Sequence, residues 1–78
     1  MGEFYIRIRS LQDIQDFVAL STAQPFRVQS GNEYPFANAT SFMALVSLDY
    51  RRPIRVTAHC SEAEFSEFRK QAARFAAE

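Results

Sequence analysis

Two runs of period-two alternation, each ending at a serine that can cap a helix, limit this chain to few architectures. Phe4-Tyr5-Ile6-Arg7-Ile8-Arg9 alternates apolar and polar side chains, as a half-buried strand does. Ser10-Leu11-Gln12-Asp13 then reads as an N-cap, and Leu11, Ile14, Phe17 and Val18 continue at helical spacing. That spacing predicts a helix over residues 11–22, which Pro25 stops. Near the other end Ile54, Val56 and Ala58 alternate with Arg55, Thr57 and His59. Ser61-Glu62-Ala63-Glu64 follows as a capping box, and Phe65, Phe68, Ala72 and Phe75 form one helical stripe. Glu62, Glu64 and Glu67 lie early in that helix and Arg69, Lys70 and Arg74 late, which suits its dipole.

The middle of the chain supplies the missing elements. Pro25–Ser30 reads as a strand with Phe26 and Val28 inward and Arg27 and Gln29 outward. Ser30-Gly31-Asn32-Glu33 is a turn, predicting a hairpin to Tyr34-Pro35-Phe36. Pro35 has no N–H, so this third strand belongs at a sheet edge. A short helix is expected over residues 41–48. The order is βαββαβα, and one-sided alternation leaves one sheet face for helices and one for water. The expectation is an α+β open-faced β-sandwich: a four-stranded, mostly antiparallel sheet with three helices on one face. Residues 1–78 are expected to form one domain.

Composition narrows the function classes. The chain is 47% hydrophobic with eight Phe, enough for a core. Nine basic and nine acidic residues cancel, so global charge points to neither nucleic acid nor membrane as partner. No apolar run approaches the roughly 20 residues of a membrane span, so no membrane insertion is expected. Cys60, the one cysteine, cannot form an intrachain disulfide, which favours a reducing, cytoplasmic setting. By parity Cys60 faces the core. His59 and Cys60 lack further ligands at workable spacing, and Gly2 and Gly31 make no phosphate loop. Neither a metal nor a cofactor is expected.

The element order and the segment Asn38-Ala39-Thr40-Ser41-Phe42-Met43-Ala44-Leu45-Val46-Ser47-Leu48-Asp49 resemble HPr, the phosphocarrier family of the bacterial sugar phosphotransferase system. The family pattern there is a Lys-Ser pair opening a short apolar helix that ends Ser/Thr-Leu-Gly. Ser41, Met43, Ser47 and Leu48 fit it, whereas Thr40 replaces the lysine and Asp49 the glycine. The resemblance puts the family's His-x-Arg-Pro active site on Ser10, Gln12 and Asp13. Phosphotransfer there needs a nucleophilic imidazole and a cation, and neither is present; Asp13 and Asp16 add charge of the wrong sign. The expectation is therefore a non-enzymatic, HPr-related interaction or regulatory module with a protein partner, which could also self-associate. The resemblance makes Phe42, Met43 and Val46 the partner-binding candidates, which requires Phe42 and Met43 to be solvent-accessible. It also makes Ser41 a candidate regulatory phosphosite, the mark of the alternative reading as a phosphocarrier-like protein; as a plain residue, Ser41 is a helix cap.

The open sheet face offers a further surface. Strand parity puts Tyr5, Arg7, Arg9, Arg27, Gln29, Arg55, Thr57 and His59 there, with no carboxylate among them. Arg7, Arg9, Arg27 and Arg55 are the anion-binding candidates, suited to an acidic partner. An anion or nucleic-acid binder using this face is a further alternative, with nucleic acid the less expected ligand because Tyr5 is the single outward aromatic and the net charge is zero. His59, at the end of the last strand, is expected far from the start of the first helix.

Overall fold

The last strand sets the dimensions of the sheet. The computed structural model describes residues 2–77. β1 (Gly2–Ile6), β2 (Arg27–Gly31), β3 (Ala37–Asn38) and β4 (Ile54–His59) form one sheet in the order β1-β4-β2-β3, every pair antiparallel. β4 lies between β1 and β2, and their ladders run only as far as β4 does. Gly2 pairs with Ala58 and Ile6 with Ile54; Arg27 pairs with His59 and Gly31 with Arg55. The strand expected over residues 4–9 therefore starts earlier and stops at Ile6, opposite Ile54, where β4 begins. The second strand likewise begins at Arg27 rather than Pro25. β3 comprises Ala37 and Asn38, not Tyr34–Phe36; Pro35 follows a cis peptide bond in the loop that precedes it.

Past Ile6 the chain finds a different partner. Arg7 N–H donates to Phe75 C=O at 2.7 Å, and Ala77 N–H donates to Tyr5 C=O at 3.1 Å. Ile6 and Ala76 form an antiparallel bridge, so residues 75–77 run along the outer edge of β1.

α1 (Leu11–Thr22) spans the expected residues. Ser10 Oγ accepts from Asp13 N–H at 3.2 Å, while Asp13 Oδ2 reaches past Ser10 to accept from Arg9 N–H at 3.0 Å. α2 is only Phe42–Val46, capped by Ser41, whose Oγ accepts from Ala44 N–H at 3.3 Å. It ends before residue 48 because side chains take its last carbonyls: Ser47 Oγ–H donates to Ala44 C=O at 2.9 Å and Tyr50 O–H to Leu45 C=O. α3 (Glu62–Gln71) carries the reciprocal capping box between Ser61 and Glu64, then tightens into a 3-10 turn over Ala73–Phe75.

The helices cover the face presented by Phe4, Ile6, Val28, Ile54, Val56 and Ala58, all buried. Phe68 of α3 is fully buried at the centre, its ring 5.8 Å from Phe4, 5.7 Å from Phe26 and 6.5 Å from Phe17. Cys60 packs half-buried against this core, and burial, helped by nearby Glu64, pushes its thiol pKa up. Gly2 is required where α3 closes over β1, since a Cβ there would lie 2.6 Å from the Phe65 ring. No helix among the described residues is long and apolar enough to cross a membrane.

Candidate functional site

At the start of α1, carboxylates and an arginine occupy the ground where the sequence resemblance placed a phosphoacceptor. Gln12 Nε2–H donates to Asp16 Oδ1 at 2.9 Å. Arg74, arriving from the 3-10 turn, donates to Asp13 Oδ1 at 2.9 Å and to Asp16 Oδ2 at 3.1 Å. The free N–H groups that could hold an anion are thus screened by two carboxylates, and the Arg74 guanidinium is engaged by them. Ser10 is engaged as a cap. His59 lies at the far end of β4, beside the residue that pairs with Gly2, so the sheet separates it from Ser10. Its Nε2 lies 3.0 Å from Gln29 Oε1, within hydrogen-bond distance. Among the described residues no three His, Cys, Asp or Glu side chains gather where they could hold a metal ion.

Beside this capped helix end is a groove of about 440 Å³ between α1 and the α2–β4 turn. Ile8 and Ile14 form its buried floor, and Leu11, Val46 and Tyr50 its walls, with Arg9 and Arg51 on the rim. Leu11 is 65% exposed, Val46 40% and Met43 76%. Met43 and Val46 stand three residues apart on α2 and so share one side of it. Phe42, expected to be accessible with Met43, is instead half-buried, packed against the core. The candidate surface therefore keeps Met43 and Val46, loses most of Phe42 and gains Leu11 and Tyr50. Leu11 was hidden in the sequence by its place in the apolar stripe. As the first residue of α1 it lines the groove and stays largely exposed.

Two side-chain devices fix the turn that forms the rim. Asn32 Nδ2–H donates to Asp49 C=O at 3.0 Å, and Asp49 N–H donates to Asn32 Oδ1 at 2.9 Å. Asp49's carboxylate accepts from Arg51 N–H and Nε–H, each at 3.0 Å, and lies 3.5 Å from Arg52 Nε. The Arg51 hydrogen bonds hold that carboxyl below the usual carboxylate range.

Burial pushes the Tyr50 phenol up to about 12. A phenol whose folded pKa is raised contributes stability fully present below its unfolded value near 10 and lost as pH rises through about 12. Ultraviolet titration should show a late ionisation near pH 12 that Tyr50→Phe abolishes. A wild-type curve complete by pH 11 would contradict it.

The open sheet face differs from its expected composition. Glu3 shares the parity of Tyr5, and Arg55 donates to it twice, Nη2 to Oε1 at 2.8 Å and Nε to Oε2 at 3.1 Å. A carboxylate therefore stands on this face, held below its ordinary range by Arg55, and Arg55 is paired rather than available. Arg9 belongs to the groove rim, because the ladder ends at Ile6. Arg7 is half-buried where the chain turns toward Phe75, and Arg27 alone of the four stands exposed on the sheet. Thr57 is outward by parity yet buried, flanked in the ladder by Glu3 and Gln29. Tyr5 is also not the only ring on this side. Phe36, on the β2–β3 loop, lies over Gly31, whose absent Cβ would have pointed to this face.

No protein-family model, curated protein or solved structure matches this chain.

Proposed function

We propose that this chain is a non-catalytic module of the HPr kind that docks a protein partner through the groove between α1 and α2. The observation that carries the reading is exposed Leu11 and Val46 lining the groove, with exposed Met43 one helical turn from Val46, set beside a helix start that lacks any phosphate-transfer group. Large apolar side chains grouped at a polar-rimmed groove are what a recognition surface requires. The order βαββαβα and the antiparallel pairing of β4 with β1 support the HPr kinship. The Arg74 bridge to Asp13 and Asp16 supports loss of the phosphoryl chemistry, since it neutralises those carboxylates structurally instead of admitting an anion.

The alternative, a phosphocarrier-like protein modified on Ser41, draws on that residue's half-exposed position as a helix cap. One experiment separates the two. The ¹⁵N-labelled protein is titrated with Enzyme I of the phosphotransferase system, and in parallel incubated with phosphoenolpyruvate and with the system's serine kinase before intact-mass analysis. The expected result is no mass increase, with amide shifts at Leu11, Met43 and Val46. Met43→Glu should weaken that binding about 30-fold or more, as removal of a central apolar anchor does. One added phosphate, on Ser41 or His59, would overturn the non-catalytic reading; absence of shifts at the groove would remove the docking one.

A further inference from the structure

On the side of the sheet away from the helices, Tyr5 of β1, Arg55 of β4 and Gly31 of β2 stand in one cross-strand row. Gly31 contributes no side chain, and the Phe36 ring takes that space; a Cβ there would sit 3.0 Å from the ring. Tyr34 meets Phe36 edge-on at 6.2 Å between centroids and is 88% exposed, while Tyr5 is 51% exposed. Two strand spacings, about 10 Å, separate Tyr5 from the ring over Gly31. Between them the Arg55 guanidinium lies 5.8 Å from the Phe36 centroid and neutralises Glu3, the carboxylate on this face. Farther along, Arg27 is exposed opposite His59, and among the described residues no carboxylate lies within ion-pair distance of it.

We infer that this face binds single-stranded nucleic acid, with bases stacked on Tyr5 and on the Tyr34–Phe36 pair and a backbone phosphate against Arg27. The rings decide the class of ligand. An acidic peptide would satisfy Arg27 but would leave accessible rings without a use. An unpaired strand presents both a flat base and a charge at each nucleotide, and stacking on a sheet face tolerates any base. The neutral net charge is no obstacle, because on the strands of this face Glu3 is closed in a pair with Arg55 while Arg27 stands in the open.

The intact chain contains no tryptophan, so its intrinsic emission comes from tyrosine alone, which makes stacking directly visible. A labelled ten-nucleotide oligouridylate is followed by anisotropy at low salt while tyrosine emission is recorded. The proposal expects saturable binding with quenching, an affinity that falls as salt rises, and losses of about tenfold each for Tyr5→Ala and Tyr34→Ala. Arg27→Gln should flatten the salt dependence by about 0.7 in log–log slope, one phosphate's share for a single strand. Both tyrosines are exposed, so circular dichroism should show the variants folded. Oligothymidylate in place of oligouridylate tells RNA from DNA, and binding of either supports the site. The proposal is overturned by no binding at low salt, by binding that both tyrosine variants leave unchanged, or by poly-glutamate competing equally with the oligonucleotide.

Discussion

Phe68→Ala should cost the fold about 3–5 kcal/mol, a large part of its stability. Its side chain is fully buried, and edge-on rings from three other elements converge on it: Phe4 from β1, Phe26 from the chain entering β2 and, tilted, Phe17 from α1. Truncating such a ring costs about 3–5 kcal/mol, because the lost burial is joined by a cavity that rigid neighbours cannot collapse into. A chain of this size has a total stability on the order of 4–12 kcal/mol. The substitution therefore takes a large part of what holds sheet and helices together. Urea unfolding followed by far-ultraviolet circular dichroism should show the midpoint falling by more than 2 M, taking a slope of about 1 kcal/mol per molar for a small domain. Phe68→Leu, which refills much of the volume, should fall far less. A Phe68→Ala midpoint within 0.5 M of the wild type would show that Phe68 is not the hub of the core.

Asn32→Ala should destabilise the fold by about 2 kcal/mol and weaken partner docking at a groove it does not touch. The Asn32 amide satisfies both backbone groups of Asp49 in a half-buried position. Removing it deletes two hydrogen bonds and leaves a donor and an acceptor to find water, a cost larger than that of a surface contact. The consequence for function follows along the chain. Asp49 orients Arg51 at the rim, and Tyr50 between them is both a groove wall and the lock on the α2 C-terminus. Asn32→Asp should not rescue, since a carboxylate can accept from Asp49 N–H but repels its carbonyl. Amide hydrogen exchange at Asp49 and Leu48 is the sensitive readout. Protection at Asp49 unchanged in Asn32→Ala would mean that the turn is held by something else.

The sequence made the helices and the architecture readable because their determinants are local. Ser10 and Ser61 with their acidic partners mark helix starts, and the Phe65–Phe75 stripe names its buried face without reference to the rest of the chain. Strand ends were less readable because they depend on a partner. Nothing within residues 4–9 reveals that the ladder stops at Ile6; that depends on where the partner strand begins, at Ile54, about fifty residues away. The site divides in the same way. Met43 and Val46 were picked out through the resemblance, as apolar positions on a short helix, whereas Phe42 and Leu11 exchanged their expected roles. Their exposure depends on where a helix end falls relative to the sheet, which periodicity does not encode. The Glu3–Arg55 pair was missed because Glu3 precedes the clear alternation, and Phe36 because a loop residue has no strand parity.

Residues 75–77 bear on how copies of this protein can meet in a crowded solution. Any sheet margin is a template onto which a stranger's backbone can crystallise, and a four-stranded sheet has two such margins. Here the end of the chain lies along one of them as a latch, occupying Tyr5 C=O and Arg7 N–H. The other margin is a two-residue stub that follows a proline. Polymerisation by strand addition thus starts from little exposed ladder, and association is left to side chains, which recognise particular partners as bare backbone does not. Cutting back the latch, rather than altering the groove, is the change that should turn a monodisperse preparation into fibrils.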